Sequence, residues 1–317
     1  MLRLTIPIAT SGEPNEHEDL RVLRALRAEA PSLKDLSRAQ LKRWLKDGVV
    51  QVRRKGSELV IEYQGALETA QESVAEVYVP ILYEDSELLV LNKPEGIPSA
   101  PVRPMESGTA LAAALSHAPM ISQVPGLSER EPGLLHRLDT RTSGCLALAK
   151  TPESFARLRE AWKAGHVRKT YRAVVRLADP SAYDRIERVS YGRELLIDAP
   201  LAHDSKSKKR MIALTRGTHD DYRQERQMRG KPLAARTWIR GARELSAGRW
   251  DLTVEIETGV MHQIRCHLAS IGLPIEGDRI YGNAPQAASR MMLHSWKLEI
   301  PTARGARILV ESTLPWI

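Results

Sequence analysis

His136-Arg137-Leu138-Asp139-Thr140-Arg141-Thr142-Ser143-Gly144-Cys145-Leu146-Ala147-Leu148-Ala149 sets an aspartate among cationic and hydroxyl side chains and then turns apolar. The run Cys145 to Ala149 is short enough for a buried strand, and Thr142-Ser143-Gly144 reads as the turn that feeds it. Asp139 would then stand at the mouth of a rigid sheet rather than on a mobile tip. Arg137 and Arg141 flank it in sequence, and a guanidinium turned toward the carboxylate would hold it ionised. A carboxylate so placed is a candidate nucleophile. The plainer alternative is an aspartate that caps a turn with its arginines in solvent.

Downstream, Thr151-Pro152-Glu153 is a helix start, with Phe155, Leu158 and Trp162 as one apolar stripe and Gly165 as its stop. Lys169 to Val175 reads as a strand that carries Tyr171. The clearest strand is the alternation of Trp250, Leu252, Val254 and Ile256 with Asp251, Thr253, Glu255 and Glu257. It runs into Thr258-Gly259-Val260-Met261-His262-Gln263-Ile264-Arg265, where Ile264, Leu268 and Ile271 mark the apolar face of a short helix and His262 and Arg265 share another. His262 and Cys266 stand at ligand spacing, but no further ligand at matching spacing accompanies them, so zinc is not expected. Between the strands lie the basic stretch Lys206, Lys208, Lys209 and Arg210 and a polar insert, Thr215 to Lys231. Such lysines suit phosphate contacts and equally suit a solvated loop.

Upstream, Ile81-Leu82-Tyr83 and Leu88 to Pro94 flank Glu84-Asp85-Ser86 as a hairpin, with Lys93 as an exposed charge at a strand end. Ser107 to His117 reads as a helix with Ser107 as its cap. Residues 1–19 are expected to be a flexible lead-in, 64–77 a linker, and 78–317 the main domain. Within 20–63, Leu20, Leu23 and Leu26, then Leu36, Leu41, Trp44 and Leu45, mark two helices with Pro31 between them and Ser37 as the second cap. Val49 to Val52 and Leu59 to Ile61 form a strand pair.

His-Arg-Leu-Asp-x-x-Thr-Ser-Gly around Asp139 resembles the catalytic signature of the RluA-type pseudouridine synthases. Lys169-Thr170-Tyr171-Arg172-Ala173-Val174-Val175 resembles the second motif of that family. The stretch from Thr258 through Gly277-Asp278-Arg279-Ile280-Tyr281-Gly282 resembles the third, with Val260 where the family usually has arginine, and Leu293-His294-Ser295-Trp296 matches its closing strand. The order of helices and hairpin in 20–63 resembles the S4 RNA-binding module, and Arg38, Lys42, Arg43 and Lys46 recur at helical spacing as a face for phosphates.

The resemblance implies an α+β catalytic domain on a mixed, largely antiparallel sheet, preceded by a small α/β S4-like module. It implies isomerisation of specific uridines in structured RNA, ribosomal or transfer, without metal or other cofactor. Asp139 would be the nucleophile at C1′ or C6, Arg265 its ion-pair partner, and Tyr171 the ring against the uracil and an aid to proton removal at C5. Arg137, Arg141, His262, Arg38, Lys42, Lys208 and Lys209 would contact substrate, Arg137 by filling the space left when the uridine unstacks. Two alternatives stand beside it. One is a non-catalytic RNA-binding or ribosome-assembly factor with a decayed pocket, and the other is a carboxylate-based nucleoside hydrolase.

Composition sets the outer bounds. Lys and Arg number 47 against 39 Asp and Glu, a net charge of +8 that favours a polyanionic partner without naming it. Cys145 and Cys266 sit in apolar patterns and form no metal pair, which fits a reducing compartment. There is no secretory signal at the start and no uncharged run long enough to span a bilayer, so a cytoplasmic monomer without a membrane partner is expected.

Overall fold

The computed structural model describes residues 2–7, 18–30, 33, 36, 38–63, 77–101, 108–214, 228–282, 290–303 and 305–316. The described residues divide into two compact units, the first over 2–63 and the second over 77–316.

The first unit carries strand β1 (Leu2–Pro7), helices α1 (Glu18–Glu29) and α2 (Arg38–Lys46), and strands β2 (Val50–Lys55) and β3 (Glu58–Tyr63). Its antiparallel sheet runs β1-β3-β2, with Leu4 and Val52 both opposite Ile61. Leu2, Leu4 and Ile6 pack against the cluster built from Val22, Leu23, Leu26, Leu41, Val50 and Ile61. The flexible lead-in expected over 1–19 is therefore corrected at both ends. Alternating apolar residues make Leu2–Pro7 an edge strand with a core to cover, and Glu18 and Asp19 form the acidic first turn of α1. Pro31, Ser37 and most of the expected linker lie outside the described residues.

The second unit is a mixed, largely antiparallel sheet with helices, an α+β architecture. Its strands are β4 (Ile81–Glu84), β5 (Leu88–Lys93), β6 (Ser143–Ala149), β7 (Arg168–Arg176), β8 (Leu195–Asp198), β12 (Arg236–Ser246), β13 (Arg249–Ile256), β14 (Leu293–Pro301) and β15 (Arg307–Glu311). The order is β4-β5-β6-β14-β7-β13-β12-β8, with β15 on the far half of β14. The β6–β14 pair is parallel, with His294 opposite Ser143, whereas β5–β6, β14–β7 and β7–β13 are antiparallel. A smaller sheet joins β9 (Leu201–Asp204), β10 (Met211–Ala213) and β11 (Met228–Leu233). The greater part of the polar insert, 215–227, lies outside the described residues.

All seven residues of β6 are buried, as a strand covered on both faces requires. Leu146 and Leu148 join one core with Leu89, Leu91, Tyr171 and Ala173, while Cys145, Ala147 and Ala149 join another with Leu158, Trp162 and Leu298. Helix α3 (Ala110–His117) is capped by the Thr109 hydroxyl, which accepts from Ala112 N, and Ser107 lies outside the described residues. Helix α4 (Pro152–Lys163) starts with a reciprocal cap between Thr151 and Ser154. Helix α5 (Ser181–Ser190), not anticipated from the sequence, buries Ala182, Ile186 and Val189. Helix α6 (Gln263–Ser270) follows β13.

Candidate active site

Asp139 lies in the loop that enters β6, and the loop is fastened on both sides of it. Ser99 Oγ donates to Leu138 O at 2.8 Å and accepts from Leu138 N at 2.9 Å. Thr142 N donates to Asp139 O at 2.9 Å, and Gly96 N donates to Thr140 O at 2.8 Å. Ser143 and Gly144, read in sequence as part of a turn, are already strand. Gly144 is required there: its φ is +106°, and a Cβ would come within 2.2 Å of Ser295 O on β14.

Beneath the loop sits Lys93, which corrects the reading of it as an exposed charge. It is fully buried, and its ammonium donates to Ile97 O at 2.6 Å, Pro94 O at 2.9 Å and Thr140 O at 3.2 Å. Burial pulls its pKa down to about 7, against the opposing pull of Asp139 and Glu95. The sequence signal was present in the Leu-Asn-Lys-Pro turn, whose carbonyls need a donor, but only the crossing of the two loops closes the cage.

The cation on Asp139 is Arg265 from α6. Its Nη1 donates to Asp139 Oδ2 at 2.8 Å, while Nε and Nη2 fork onto Asp278 at 2.7 and 2.9 Å. Asp278 is fully buried and also accepts from Ile280 N and Tyr281 N. Burial pushes the Asp278 carboxyl up, but Arg265 and these N–H groups outweigh it and hold it below the usual carboxylate range. Burial likewise opposes the Arg265 charge, and the two carboxylates overcome that and reinforce it. The preceding Gly277 has φ +80°, and any Cβ there would meet Arg290 O at 1.7 Å. A guanidinium locked on a buried carboxylate thus offers its remaining edge to Asp139.

The flanking arginines, which would hold Asp139 ionised if turned toward it, bond to other carboxylates. Arg137 donates to Glu131 at 3.2 Å, with 65% of its side chain exposed. Arg141 donates through Nε to Glu95 at 3.0 Å. The reason is local: at two residues' distance along an irregular loop, side chains leave in different directions and take the nearest carboxylate.

Tyr171 comes from β7 and lies opposite Ser295 of β14, whose side chain is its hydrogen-bond partner. The residue is 5% exposed, and burial, with Asp139 nearby, pushes its phenol up, so it stays protonated at neutral pH. His262 does not share a helical face with Arg265 as expected. It precedes α6 in the left-handed region with φ 55°, the one such non-glycine among the described residues, and this turn aims its Nε2 at Asp139 Oδ2 from 3.8 Å. Val260 packs with Met211, Tyr281 and Cys266, so the position gives its side chain to an apolar cluster.

The remaining expected contacts are dispersed. Lys208 and Lys209 are exposed on the β9–β10 turn. In the first unit Arg38 forks onto Asp19 at 2.7 and 2.9 Å and Lys42 approaches the same carboxylate at 3.8 Å, so one acidic residue holds two of the expected phosphate contacts. Among the described residues no group of three or more His, Cys, Asp or Glu is arranged for a metal.

Residues 87–270 match the family model for RNA pseudouridylate synthase. The chain belongs to that family. It is 33% identical to ribosomal large subunit pseudouridine synthase D of Nitrosomonas europaea, over 94% of this chain and 83% of that protein. It is 32% identical to the protein of the same name from Pseudomonas aeruginosa, over 88% and 84%. The solved structure of human RNA pseudouridylate synthase domain containing 1 superposes with a TM-score of 0.56 at 22% identity, covering 76% of this chain and 86% of that one, which establishes the shared fold. No helix among the described residues is long and apolar enough to cross a membrane.

Proposed function

We propose that this pseudouridine synthase isomerises uridine in ribosomal RNA of the large subunit, with Asp139 as nucleophile. The observation that carries the reading is the Asp278–Arg265–Asp139 array. Its cation is fixed from behind by Asp278 and engages Asp139 Oδ2, which supports a carboxylate held in one orientation for attack. The names of the relatives, which specify the large ribosomal subunit, support the choice of RNA.

The reaction breaks the bond from uracil N1 to ribose C1′, turns the base, forms a bond from C5 to C1′, and returns the C5 proton to solvent while N1 takes one up. No electrons leave the substrate, so the conversion requires no redox partner. The carboxylate is suited to capture the electrophilic centre at C1′ or at C6. Tyr171, neutral and nearly buried, forms the floor against the base and serves as a donor before it can serve as a base. The uridine leaves its stack at a cost of about a few kcal/mol, and Arg137, on the same loop with its guanidinium mostly in solvent, is placed to fill the gap. An Arg137→Ala enzyme is expected to lose activity on folded RNA and retain more on an unstructured fragment.

RNA binding outside the pocket is assigned to Lys208 and Lys209 on their exposed turn, and to an S4-like first unit through the outer edges of Arg38 and Lys42. The deciding experiment supplies unmodified large-subunit ribosomal RNA and, separately, transfer RNA to wild type and to Asp139→Asn, and maps pseudouridine. Product on ribosomal RNA from wild type alone is expected. Product from Asp139→Asn removes the nucleophile assignment, and product on transfer RNA alone removes the substrate assignment.

A further inference from the structure

A hydrogen-bonded chain runs from the basic turn to His262, whose ring faces the nucleophile, through residues that the isomerisation itself does not use. Met211 N, at the start of β10 and one residue past the Lys206–Arg210 stretch, donates to Tyr281 Oη at 2.7 Å. Tyr281 Oη lies 3.1 Å from His262 Nδ1, with the two rings edge to face. His262 Nε2 then faces Asp139 Oδ2 at 3.8 Å. The turn also reaches this chain by a second route, because the Arg210 guanidinium lies 5.6 Å from the centre of the Tyr281 ring. Cys266 Sγ donates to Met211 O at 3.4 Å, and Leu201, Met211, Ala235 and Cys266 bury a small apolar cluster below.

The direction of the chain follows from giving the single Tyr281 hydroxyl hydrogen to His262. A tyrosine hydroxyl has a single hydrogen, and its oxygen here already accepts from Met211. Burial pushes the Tyr281 phenol up, so it keeps that hydrogen, and the acceptor within reach is His262 Nδ1. With Tyr281 as the donor, Nδ1 accepts, and the imidazole carries its hydrogen on Nε2, toward Asp139. The charged groups facing the ring are Asp139, Arg265 and Asp278, and burial favours the neutral form over the imidazolium. At 3.8 Å the Nε2–Oδ2 approach is too long for a hydrogen bond, as catalytic contacts often are before substrate closes the site.

We propose that Met211, Tyr281 and His262 form a positioning relay, in which seating of the β9–β10 turn on RNA presses a neutral His262 Nε2–H onto Asp139 Oδ2 and leaves Oδ1 to react. His262 is thereby a positioning residue, acting through Asp139 rather than on the RNA. The relay rests on the assignment of Asp139 as nucleophile.

Two measurements test it. The first is the nitrogen NMR spectrum of histidine-labelled full-length wild type, which reports the His262 tautomer with no demand on activity. The Nε2–H form is expected, and the Nδ1–H form or an imidazolium at pH 7 overturns the relay. The second is the rate on unmodified large-subunit ribosomal RNA. Tyr281→Phe and His262→Ala are expected to lower kcat at least tenfold with KM changed less than threefold, and His262→Gln, which keeps a donor, to recover most of the loss. Undiminished kcat in His262→Ala, or a loss confined to KM, overturns the relay. Should wild type form no pseudouridine, the functional reading fails, while the tautomer still decides the relay's geometry.

Discussion

Arg265 is the residue that joins the buried Asp278 to Asp139. Only 7% of its side chain is exposed, and it neutralises a fully buried Asp278 before it reaches Asp139. Arg265→Met is expected to destabilise the protein by about 3–5 kcal/mol, because the cost is that of a carboxylate left unpaired in the interior. Urea unfolding measures it, and a loss below about 1 kcal/mol would mean that Asp278 finds another partner. Lys93 gives a prediction in pH. Its folded pKa of about 7 lies below the value of roughly 10.4 for a free lysine. Between those values the unfolded chain binds more protons, so this group makes stability rise with pH across the window. The stability gap between wild type and Lys93→Met is expected to move in favour of wild type from about pH 7 to about pH 9.5. A gap independent of pH would place the lysine in solvent.

At the level of elements, the site depends on how closely β6 and β14 approach. Gly144 admits the Ser295 carbonyl, and through it sets Ser295 opposite Tyr171 and brings the Asp139 loop to the centre of the sheet. Gly144→Ala is expected to cost about 3 kcal/mol or more, since backbone rather than a flexible side chain must give way. Thermal unfolding with intact far-UV circular dichroism would register it. The strands and helices of this unit were legible where periodicity was strong, as in β13, β6 and α4. Residues 2–7 were missed because a short alternation at a chain end has no visible partner until β3 is placed beside it. Asp251 was read as the polar face of β13, yet it is buried and pairs with Arg172 of the neighbouring strand. Alternation alone cannot reveal an ion pair between strands.

Across the whole molecule, the charge of +8 makes RNA affinity a function of salt. Reversal of the exposed Lys208 and Lys209 to glutamate is expected to weaken binding severalfold at about 0.1 M salt. It is also expected to lower the slope of log K against log salt by about 0.7–0.9 for each phosphate no longer engaged. Filter binding with large-subunit ribosomal RNA measures both, and an unchanged slope would remove the turn from the interface. Arg38→Gln is expected to lose less affinity than its charge suggests, because Asp19 already offsets it.

The sequence by itself determined the family and the α+β class, and it singled out Asp139 as the candidate nucleophile, because motif residues and strand periodicity are local and survive without coordinates. It also placed Arg265 beside Asp139, through the family resemblance. Only the tertiary structure decided which cations serve that carboxylate, that Lys93 is caged, and that His262 turns its Nε2 toward it. Those facts depend on directions in space. Side chains two residues apart on a loop diverge, while residues 126 apart in sequence, Asp139 and Arg265, meet at 2.8 Å once β6 and α6 are packed into one core.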